Sequence, residues 1–266
     1  MFFAKHWEII VAVCLIFLLG FLFWRDSLAD AAWQKYRSPA AALALVGRDA
    51  GLSMQLGNYY FNGGAYDLAK AERAYRKAVV ADPKILWGHY QLARIIFVKG
   101  KYAEALAEIN KELEANPENL RSLYVRGLIY GYGGNLAAAE DDFRRFTEWA
   151  PKEWAGYNDL AWILQKEAKY EKAEKILNSA FKEALNAEKN PWLWNGLGVA
   201  ELNLGKFEEA KKAFESAQKL ADGLSLADWQ AAYPGNNPEA AENGLGAFKD
   251  AITTNLRQAE NANRSF

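Results

Sequence analysis

The sequence predicts an all-α protein in which one N-terminal transmembrane helix precedes a right-handed α-solenoid of helix hairpins. Three observations predict this architecture. Beyond the first 25 residues Val, Ile and Thr are scarce, whereas Ala, Leu, Glu and Lys are abundant, which favours helices over strands. An uncharged apolar run lies near the N-terminus. After it, small and bulky residues recur at a period of 34 residues.

Composition excludes several classes of function. The 32 basic and 33 acidic residues nearly cancel, so no net field draws the chain to nucleic acid, and we expect no nucleic-acid partner. Cys14 is the single cysteine and lies within the apolar run, so disulfides and thiolate metal sites are excluded. His6 and His89 are the only histidines. No metal site is therefore predicted.

The sequence contains no motif of a catalytic centre. It lacks G-x-S-x-G, a phosphate-binding Gly-rich loop with a Lys, and H-E-x-x-H. The acidic runs Glu140-Asp141-Asp142 and Glu208-Glu209 fall on the outer faces of predicted second helices, where charge runs are usually solvated. We therefore predict that the chain is not an enzyme, with no catalytic residues, no cofactor and no small-molecule substrate.

The apolar run is long enough to cross a membrane. Residues Ile9–Trp24 carry no charge, and Trp7 and Trp24 suit the two interfaces of a bilayer. At ~1.5 Å per residue, the segment from Trp7 to Trp24 spans about 27 Å, close to the roughly 30 Å hydrocarbon core. We predict a transmembrane signal-anchor over residues 1–25, with membrane contact over residues 7–24.

A cleaved signal peptide is the alternative to an anchor. Ser27, Leu28 and Ala29 satisfy a small-x-small cleavage rule. Against cleavage, the apolar run exceeds a usual signal-peptide core, and Arg25 and Asp26 stand before the small residues. The orientation is not decided by counting charges on the two sides of the run. Because a short, positively charged tail favours a cytoplasmic N-terminus, we predict a single-pass membrane protein with extracytoplasmic repeats.

Residues 26–49 are predicted to form a helical stalk that carries Trp33 and Tyr36, breaks at Ser38-Pro39, and continues as a short apolar helix. The 34-residue period begins after this stalk. Pairs at that spacing are Gly100 and Gly134, Ala105 and Ala139, Ile109 and Phe143, and Pro117 and Pro151. The step from Ala173 to Ala210 is 37 residues instead, so three extra residues precede Pro191.

This pattern resembles the tetratricopeptide repeat, a helix pair with the motif W-x2-L-G-x2-Y, then A-x3-F, then P. The strongest copy consists of Trp194, Leu197, Gly198, Gly205, Phe207, Ala210, Phe214 and Ala217. The resemblance covers about residues 50–255 and implies stacked helix pairs that bind proteins or peptides. Within each pair, small residues let the two helices approach, and a bulky residue such as Phe143 fills the space between hairpins.

Five repeats are predicted over residues 50–222. Their approximate limits are 50–85, 86–119, 120–153, 154–190 and 191–222. The first repeat fits the pattern only if two residues are inserted after the turn Asn62-Gly63-Gly64. Residues 223–266 are predicted to form a degenerate sixth repeat that keeps Phe248 and Ala251 in register, breaks at 234–238, and ends in a capping helix.

In the resembled family, the first helices line a concave groove. The side chains on the stripe of each first helix that packing does not use are predicted to contact a partner. They are Asn58, Trp87, Tyr90, Arg94, Phe97, Arg121, Tyr124, Asn158, Trp162, Gln165, Trp192, Asn195 and Asn203. The alternative interpretation is that the aromatic residues are core and the asparagines and arginines are solvated surface. If these side chains line the groove, as predicted, they form a wall that is aromatic, amide-bearing and weakly basic.

These features predict a membrane-anchored scaffold that binds partner proteins or peptides, as an assembly or co-chaperone-like factor of the cell envelope. Some relatives clamp a chaperone's C-terminal carboxylate, and Asn58 matches one residue of that clamp, but Met54 stands where a lysine is wanted. The alternatives are a protein import or targeting receptor with cytosolic repeats, or a non-catalytic subunit of a membrane enzyme complex.

Overall fold

The computed structural model describes residues 2–63, 65–232 and 237–263. All regular secondary structure in these residues is helical. The chain forms two compact units, which divide between Ile95 and Ile96. The helices of the first unit are α1 (Phe2–Gln34), α2 (Pro39–Leu45), α3 (Ala50–Asn58), a π-helix (Tyr59–Gly63), α4 (Leu68–Ala81) and α5 (Gly88–Val98), the last of which crosses the division.

Helix α1 is continuous, so the predicted boundary between anchor and stalk at residue 25 falls inside one helix. The large apolar side chains between Trp7 and Trp24 are exposed. Among the described residues, Trp7–Gln34 is the one helix long and apolar enough to cross a membrane, with a mean hydropathy of 2.5 in its apolar window. A signal sequence shares that length and composition. Further along α1, Ala29 and Ala32 are buried, and this part of the helix packs against α2.

The end of α2 is capped by two basic side chains from distant parts of the chain. Arg25 donates from Nε to the carbonyl of Leu45 at 3.1 Å and from Nη2 to the carbonyl of Val46 at 3.0 Å. Lys77, on α4, donates to the carbonyl of Leu43 at 3.1 Å. The last carbonyls of a helix have no partner within it and carry the negative end of its dipole. Both cations therefore stabilise the junction between α1 and the first hairpin.

Helices α3 and α4 form the first hairpin, which closes over a glycine. A Cβ on Gly57 would lie 2.4 Å from a ring carbon of Tyr75, so only glycine allows this approach. A π-helix, Tyr59–Gly63, follows α3 and ends within the predicted turn, whereas the two inserted residues were predicted after that turn. A π-helix holds more residues per turn than an α-helix, which accommodates extra length without breaking the element. The last residue of the predicted turn, Gly64, lies outside the described residues.

The second unit continues as antiparallel helix pairs. Its helices are α6 (Tyr102–Ala115), α7 (Leu120–Gly133), α8 (Leu136–Trp149), α9 (Trp154–Lys166), α10 (Tyr170–Glu183), α11 (Pro191–Asn203), α12 (Phe207–Asp222), α13 (Leu226–Ala232) and α14 (Ala241–Asn263). A short 3-10 helix, Ala187–Lys189, precedes Pro191 where three extra residues were predicted.

Glycine and aromatic residues pair in the second unit as they do in the first hairpin. A Cβ on Gly127 would lie 2.9 Å from the ring of Phe143, and one on Gly198 would lie 2.7 Å from the ring of Phe214. Both rings are fully buried. The tight turn after α7 uses Gly134 at φ 87°, a left-handed conformation that side chains rarely adopt. Glycines and buried rings thus set the spacing between the two helices in these three hairpins.

The C-terminal helix covers the last hairpin. Ile252 and Ala259 of α14 are fully buried, Ile252 beside Ala217 and Ala259 beside Phe214. This burial removes apolar surface of α12 from water, as a capping helix of a solenoid must. The predicted break at 234–238 lies mostly outside the described residues, because the described chain resumes at Asn237.

One interpretation of the acidic runs is wrong. Asp142 was expected on a solvated face, but its side chain is only 3% exposed. Its two carboxylate oxygens accept hydrogen bonds from Nε and Nη2 of Arg126, each at 2.7 Å. Such a bidentate pair offsets the loss of water around both charges. Glu208 and Glu209 are exposed, as expected.

Candidate functional site

In the first unit, the predicted wall on α5 forms an aromatic and basic cluster. The Arg94 guanidinium lies 4.9 Å from the ring centre of Phe61 and 5.6 Å from that of Tyr90. The edge of Trp87 meets Tyr90 at 5.2 Å between ring centres. Trp87 adopts φ 66°, which is costly for a bulky residue and persists only where its surroundings enforce it. The Arg94 guanidinium therefore lies over two aromatic rings.

Asn58 and Arg121 lie at exposed positions on α3 and α7. The Oδ1 of Asn58 accepts a hydrogen bond from the Tyr75 hydroxyl at 2.7 Å. Burial raises the pKa of that hydroxyl, which stays protonated and keeps donating. The carbonyl end of Asn58 thus stabilises the first hairpin, a role that its position in the motif did not indicate.

A polar centre lies between α7 and α9, the first helices of two adjacent hairpins. The Tyr124 hydroxyl donates to one oxygen of Asp159 at 2.6 Å, and Asn158 Nδ2 donates to the other at 3.1 Å. Burial raises the pKa of Asp159 to about 6, although both hydrogen bonds favour its charged form. The carboxylate is thus held in place by two neutral donors. Asp159 was missed by the sequence analysis, which considered only its neighbour Asn158.

An aromatic patch lies further along the same two helices. Tyr132 of α7 meets Trp162 of α9 at 5.0 Å between ring centres and is 57% exposed. Phe97 contacts Tyr132 edge to face at 5.5 Å. The Lys166 ammonium lies 5.1 Å from the Trp162 ring centre, a cation–π contact. Three of the predicted wall residues, Tyr124, Asn158 and Trp162, therefore lie on one surface with Asp159 and Tyr132.

Other predicted wall residues hold the second unit together. Gln165 Nε2 donates to the Gly196 carbonyl at 2.8 Å, which ties α9 to α11. Asn195 Oδ1 accepts from Asn255 of the capping helix at 3.4 Å. Asn203 is exposed, and its Nδ2 donates to the Val199 carbonyl of its own helix at 2.8 Å. Gln165 and Asn195 thus link neighbouring helices.

Trp192 does not form an open wall. It is only 9% exposed and stacks on Trp154 at 5.3 Å and on Phe248 at 5.4 Å between ring centres. Phe248 belongs to α14, so the capping helix covers a position that would otherwise face the groove. Burial of three stacked rings removes much apolar surface from water, which favours this closed arrangement. The core interpretation therefore applies to Trp192.

The structure contains two further features that carry charge. A pocket of about 450 Å³ is lined by residues of the first unit that include Arg73, Arg76 and Lys77. In the second unit, Glu201 is buried. Its pKa is raised to about 7, mainly by burial and to a smaller extent by repulsion from Glu174 and Glu209. Within the described residues, no group of three or more His, Cys, Asp or Glu side chains is placed to hold a metal ion.

Comparison with known proteins identifies the repeat. Family models described as "Tetratricopeptide repeat" match residues 67–120, 90–153 and 193–223. The "TPR repeat-containing protein MJ1428" of Methanocaldococcus jannaschii is 29% identical over 157 residues, covering 59% of this chain and 27% of that protein. The "TPR repeat-containing protein YpiA" of Bacillus subtilis is 26% identical over 192 residues, covering 69% of this chain and 42% of that protein. The chain thus spans less than half the length of these two relatives.

Solved structures show the same fold. A tetratricopeptide repeat protein from Parabacteroides merdae aligns with a TM-score of 0.57 at 16% identity, covering 86% of this chain and 83% of its own. YrrB, titled "a TPR protein with an unusual peptide-binding site", aligns with a TM-score of 0.55 at 17% identity, covering 75% of this chain and 94% of its own. The family models thus identify tetratricopeptide repeats over residues 67–153 and 193–223 of this chain, and the helix pairs with their glycine–aromatic contacts have the fold of tetratricopeptide-repeat proteins.

Proposed function

We propose that the chain is a membrane-anchored scaffold whose second unit binds an extended segment of a partner protein. The observation that carries the proposal is the surface shared by α7 and α9, where the Asp159 carboxylate and the Tyr132–Trp162 pair lie on the same two helices. We name this surface the Asp159 wall: Tyr124, Tyr132, Asn158, Asp159 and Trp162. A repeat fold that binds proteins in general supports a protein or peptide as the partner.

The dimensions of the Asp159 wall suit a short extended peptide. Tyr124 and Tyr132 are eight residues apart on α7, which corresponds to about 12 Å along the helix. An extended chain advances roughly 3.3 Å per residue, so about four residues bridge this distance. Asp159 is an acceptor for a Lys or Arg side chain or for backbone N–H groups. The aromatic pair offers rigid apolar contact. The proposed ligand therefore has a basic residue three or four positions from a large apolar one.

The structure of the junction supports retention of the N-terminal helix as an anchor. Arg25 caps α2, and Asp26 accepts hydrogen bonds from the Arg48 backbone N–H at 3.1 and 3.2 Å. Cleavage after Ala29 would remove both residues and cut a helix whose following turn is buried against α2. Retention keeps these contacts. The anchored helix then holds the bound partner close to the membrane.

The cellular role follows from orientation. With extracytoplasmic repeats, the chain is an assembly or co-chaperone-like factor of the cell envelope, and this is the role we propose. Cytosolic repeats would instead suit an import or targeting receptor. A reporter enzyme that is active only in the cytosol, fused after residue 266, separates the two roles, because activity of that reporter would overturn the envelope assignment.

Peptide selection tests the Asp159 wall directly. The full chain in detergent is used to select from a random hexapeptide display library, in parallel with Asp159→Asn. We expect the wild-type chain to enrich peptides that carry Lys or Arg three or four positions from Leu, Ile, Phe or Trp. The variant should lose the basic preference and keep the apolar one, because only the carboxylate is removed.

Glu171→Gln is the matched control for this selection. Glu171 is exposed on α10, in the same hairpin as Asp159, and its replacement removes the same charge. The control should select the same peptides as the wild-type chain. Enrichment of the same basic peptides by Asp159→Asn, or no enrichment by the wild-type chain, would contradict the proposed binding surface.

A further inference from the structure

A basic pocket lies beside the point where α1 leaves the apolar run. It has a volume of about 450 Å³ and is lined by Arg73, Arg76 and Lys77 of α4, together with Gly47, Ala69, Glu72 and Val80. The Arg73 side chain is exposed, and Val80 is 81% exposed. The pocket therefore presents guanidinium groups beside a small apolar surface, on the outside of the first hairpin.

The pocket has an excess of positive charge. Three of the residues that line it are basic, namely Arg73, Arg76 and Lys77, and one, Glu72, is acidic. Arg25 lies against Gly47, which also lines the pocket. Glu72 pairs with Arg76 at 2.8 Å. The pKa of Lys77 is lowered mainly by burial and, to a smaller extent, by repulsion from Arg73 and Arg25. A bound anion would reduce this repulsion.

The contacts of Arg25 place the pocket close to the end of the apolar run. Arg25 directly follows Trp24, the last residue of that run. A Cβ on Gly47 would lie 2.6 Å from Nε of Arg25, and Gly47 also lines the pocket. The pocket is thus one side chain away from the end of the predicted span. If α1 is the proposed anchor, this is the depth of the lipid headgroups.

We propose that this pocket binds the headgroup of an anionic phospholipid, an inference that rests on the proposed membrane anchor. Arg73 and Arg76 are placed to contact the phosphodiester oxygens, for which arginine supplies several N–H donors in a fixed plane. Ala69 and Val80 offer apolar contact to the glycerol and the first methylenes of the lipid. Basic residues next to a membrane span attract anionic lipids electrostatically.

Native mass spectrometry of the full chain in detergent tests the proposal. The protein is mixed with equal amounts of dioleoyl phosphatidylglycerol and dioleoyl phosphatidylcholine, and the ratio of the two lipid adducts is measured. We expect the wild-type chain to retain several-fold more phosphatidylglycerol. Arg73→Gln with Arg76→Gln should reduce that preference at least fivefold. Arg73→Gln alone, at an exposed position, should reduce it partly and shows the effect even if loss of Arg76 disturbs its pair with Glu72.

Lys172→Gln with Lys175→Gln is the matched control. Both lysines are exposed, lie three residues apart on the second helix of a hairpin, and are remote in sequence from the pocket. This variant should keep the full lipid preference. The proposal is overturned if the arginine variants and the control behave alike. It is also overturned if millimolar inorganic phosphate, or an acidic hexaglutamate peptide, removes the phosphatidylglycerol preference, because the site would then take any anion or an acidic chain.

Two further measurements separate failure of this inference from failure of the proposed function. Alkaline extraction of cell membranes reports whether the chain is integral to them, and release of the wild-type chain would overturn both the anchor and the lipid site. Retention with equal adducts of the two lipids would overturn the lipid site alone. The arginine variants should bind peptides selected by the Asp159 wall with unchanged affinity, because none of its residues is altered.

Discussion

At the scale of single residues, burial raises the pKa of two carboxyl groups in the second unit, and these two groups differ in their hydrogen bonds. Asp159 accepts hydrogen bonds from Tyr124 and Asn158, and burial still raises its pKa to about 6. Glu201 is also buried, and within the described residues its Oε2 atom accepts no hydrogen bond. Its pKa rises to about 7. Burial is the largest cause in both cases. The Asp159 carboxylate has the hydrogen bonds expected of a binding group, whereas Glu201 is a cost to the fold.

The raised pKa values make stability fall as pH rises. In the folded chain each carboxyl binds its proton more tightly than in the unfolded chain, where the reference values are 3.8 for Asp and 4.5 for Glu. Between the unfolded and folded pKa values the folded state holds more protons, so the free energy of unfolding decreases with increasing pH. For Glu201 the loss extends from about pH 4.5 to about pH 7 and is complete above it.

Glu201→Gln is therefore expected to stabilise the chain at pH 8 and to have little effect at pH 5. The amide keeps the shape of the side chain and carries no charge to bury, and the expected gain at pH 8 is about 1–3 kcal/mol. Thermal unfolding in detergent, followed by circular dichroism at both pH values, measures it. Glu171→Gln, at an exposed position, serves as the control. An unchanged melting temperature of Glu201→Gln at pH 8 would show that this carboxylate carries no burial cost.

At the scale of helices, three of the hairpins depend on a glycine of the first helix that faces a ring of the second. Gly57 faces Tyr75, and Gly127 faces Phe143. Because the rings are buried in closely packed cores, they cannot move away from an added methyl group without strain elsewhere. The repeat motif therefore encodes a distance between helices.

Gly127→Ala should destabilise the second unit by about 1–3 kcal/mol, because the added Cβ would lie 2.9 Å from the Phe143 ring. Gly133→Ala on the same helix is the matched control. There the nearest atom to an added Cβ is 3.6 Å away, an ordinary contact. The control should be neutral or slightly stabilising, since alanine favours helices over glycine. Equal melting temperatures for the two variants would refute the close-approach explanation.

The sequence predicted the helix pairs, because a fixed period of small and bulky residues directly reflects how successive hairpins pack. Contacts between distant positions were not predictable in this way. Arg25 caps α2 although the two lie 20 residues apart in sequence. Arg126 and Asp142 form a pair between two helices, and the pattern of either helix by itself predicts that its charged side chain is solvated. The π-helix after α3 was not predicted, because the repeat pattern indicated only an insertion of two residues after Gly64, and an insertion does not specify a backbone conformation.

The wall residues were predictable in part. Helical spacing placed Tyr124, Asn158 and Trp162 on one face, and the structure brings them together on the Asp159 wall. Spacing could not show that Trp192 is covered, because the covering ring, Phe248, belongs to the degenerate capping segment. Nor could it show that Asp159 is paired with a tyrosine 35 residues earlier. An acidic residue on the proposed wall favours a basic ligand, although the predicted wall was weakly basic.

At the scale of the whole molecule, the two compact units have different chemistry. The first contains the apolar helix and the basic pocket, which suit a membrane and an anionic headgroup. The second contains the Asp159 wall, which suits a basic and apolar peptide. The proposed lipid site and the proposed peptide site therefore lie in different units of the chain.

The pH dependence of peptide affinity tests the central claim most directly. The full chain in detergent is titrated with a lysine-containing peptide from the selection at pH 5 and pH 7.5, by isothermal calorimetry. With the pKa of Asp159 at about 6, roughly a tenth of the carboxyl groups are charged at pH 5 and nearly all at pH 7.5. The account predicts about tenfold tighter binding at pH 7.5, and weak, pH-independent binding for Asp159→Asn. Equal affinity of the wild-type chain at the two pH values would contradict it.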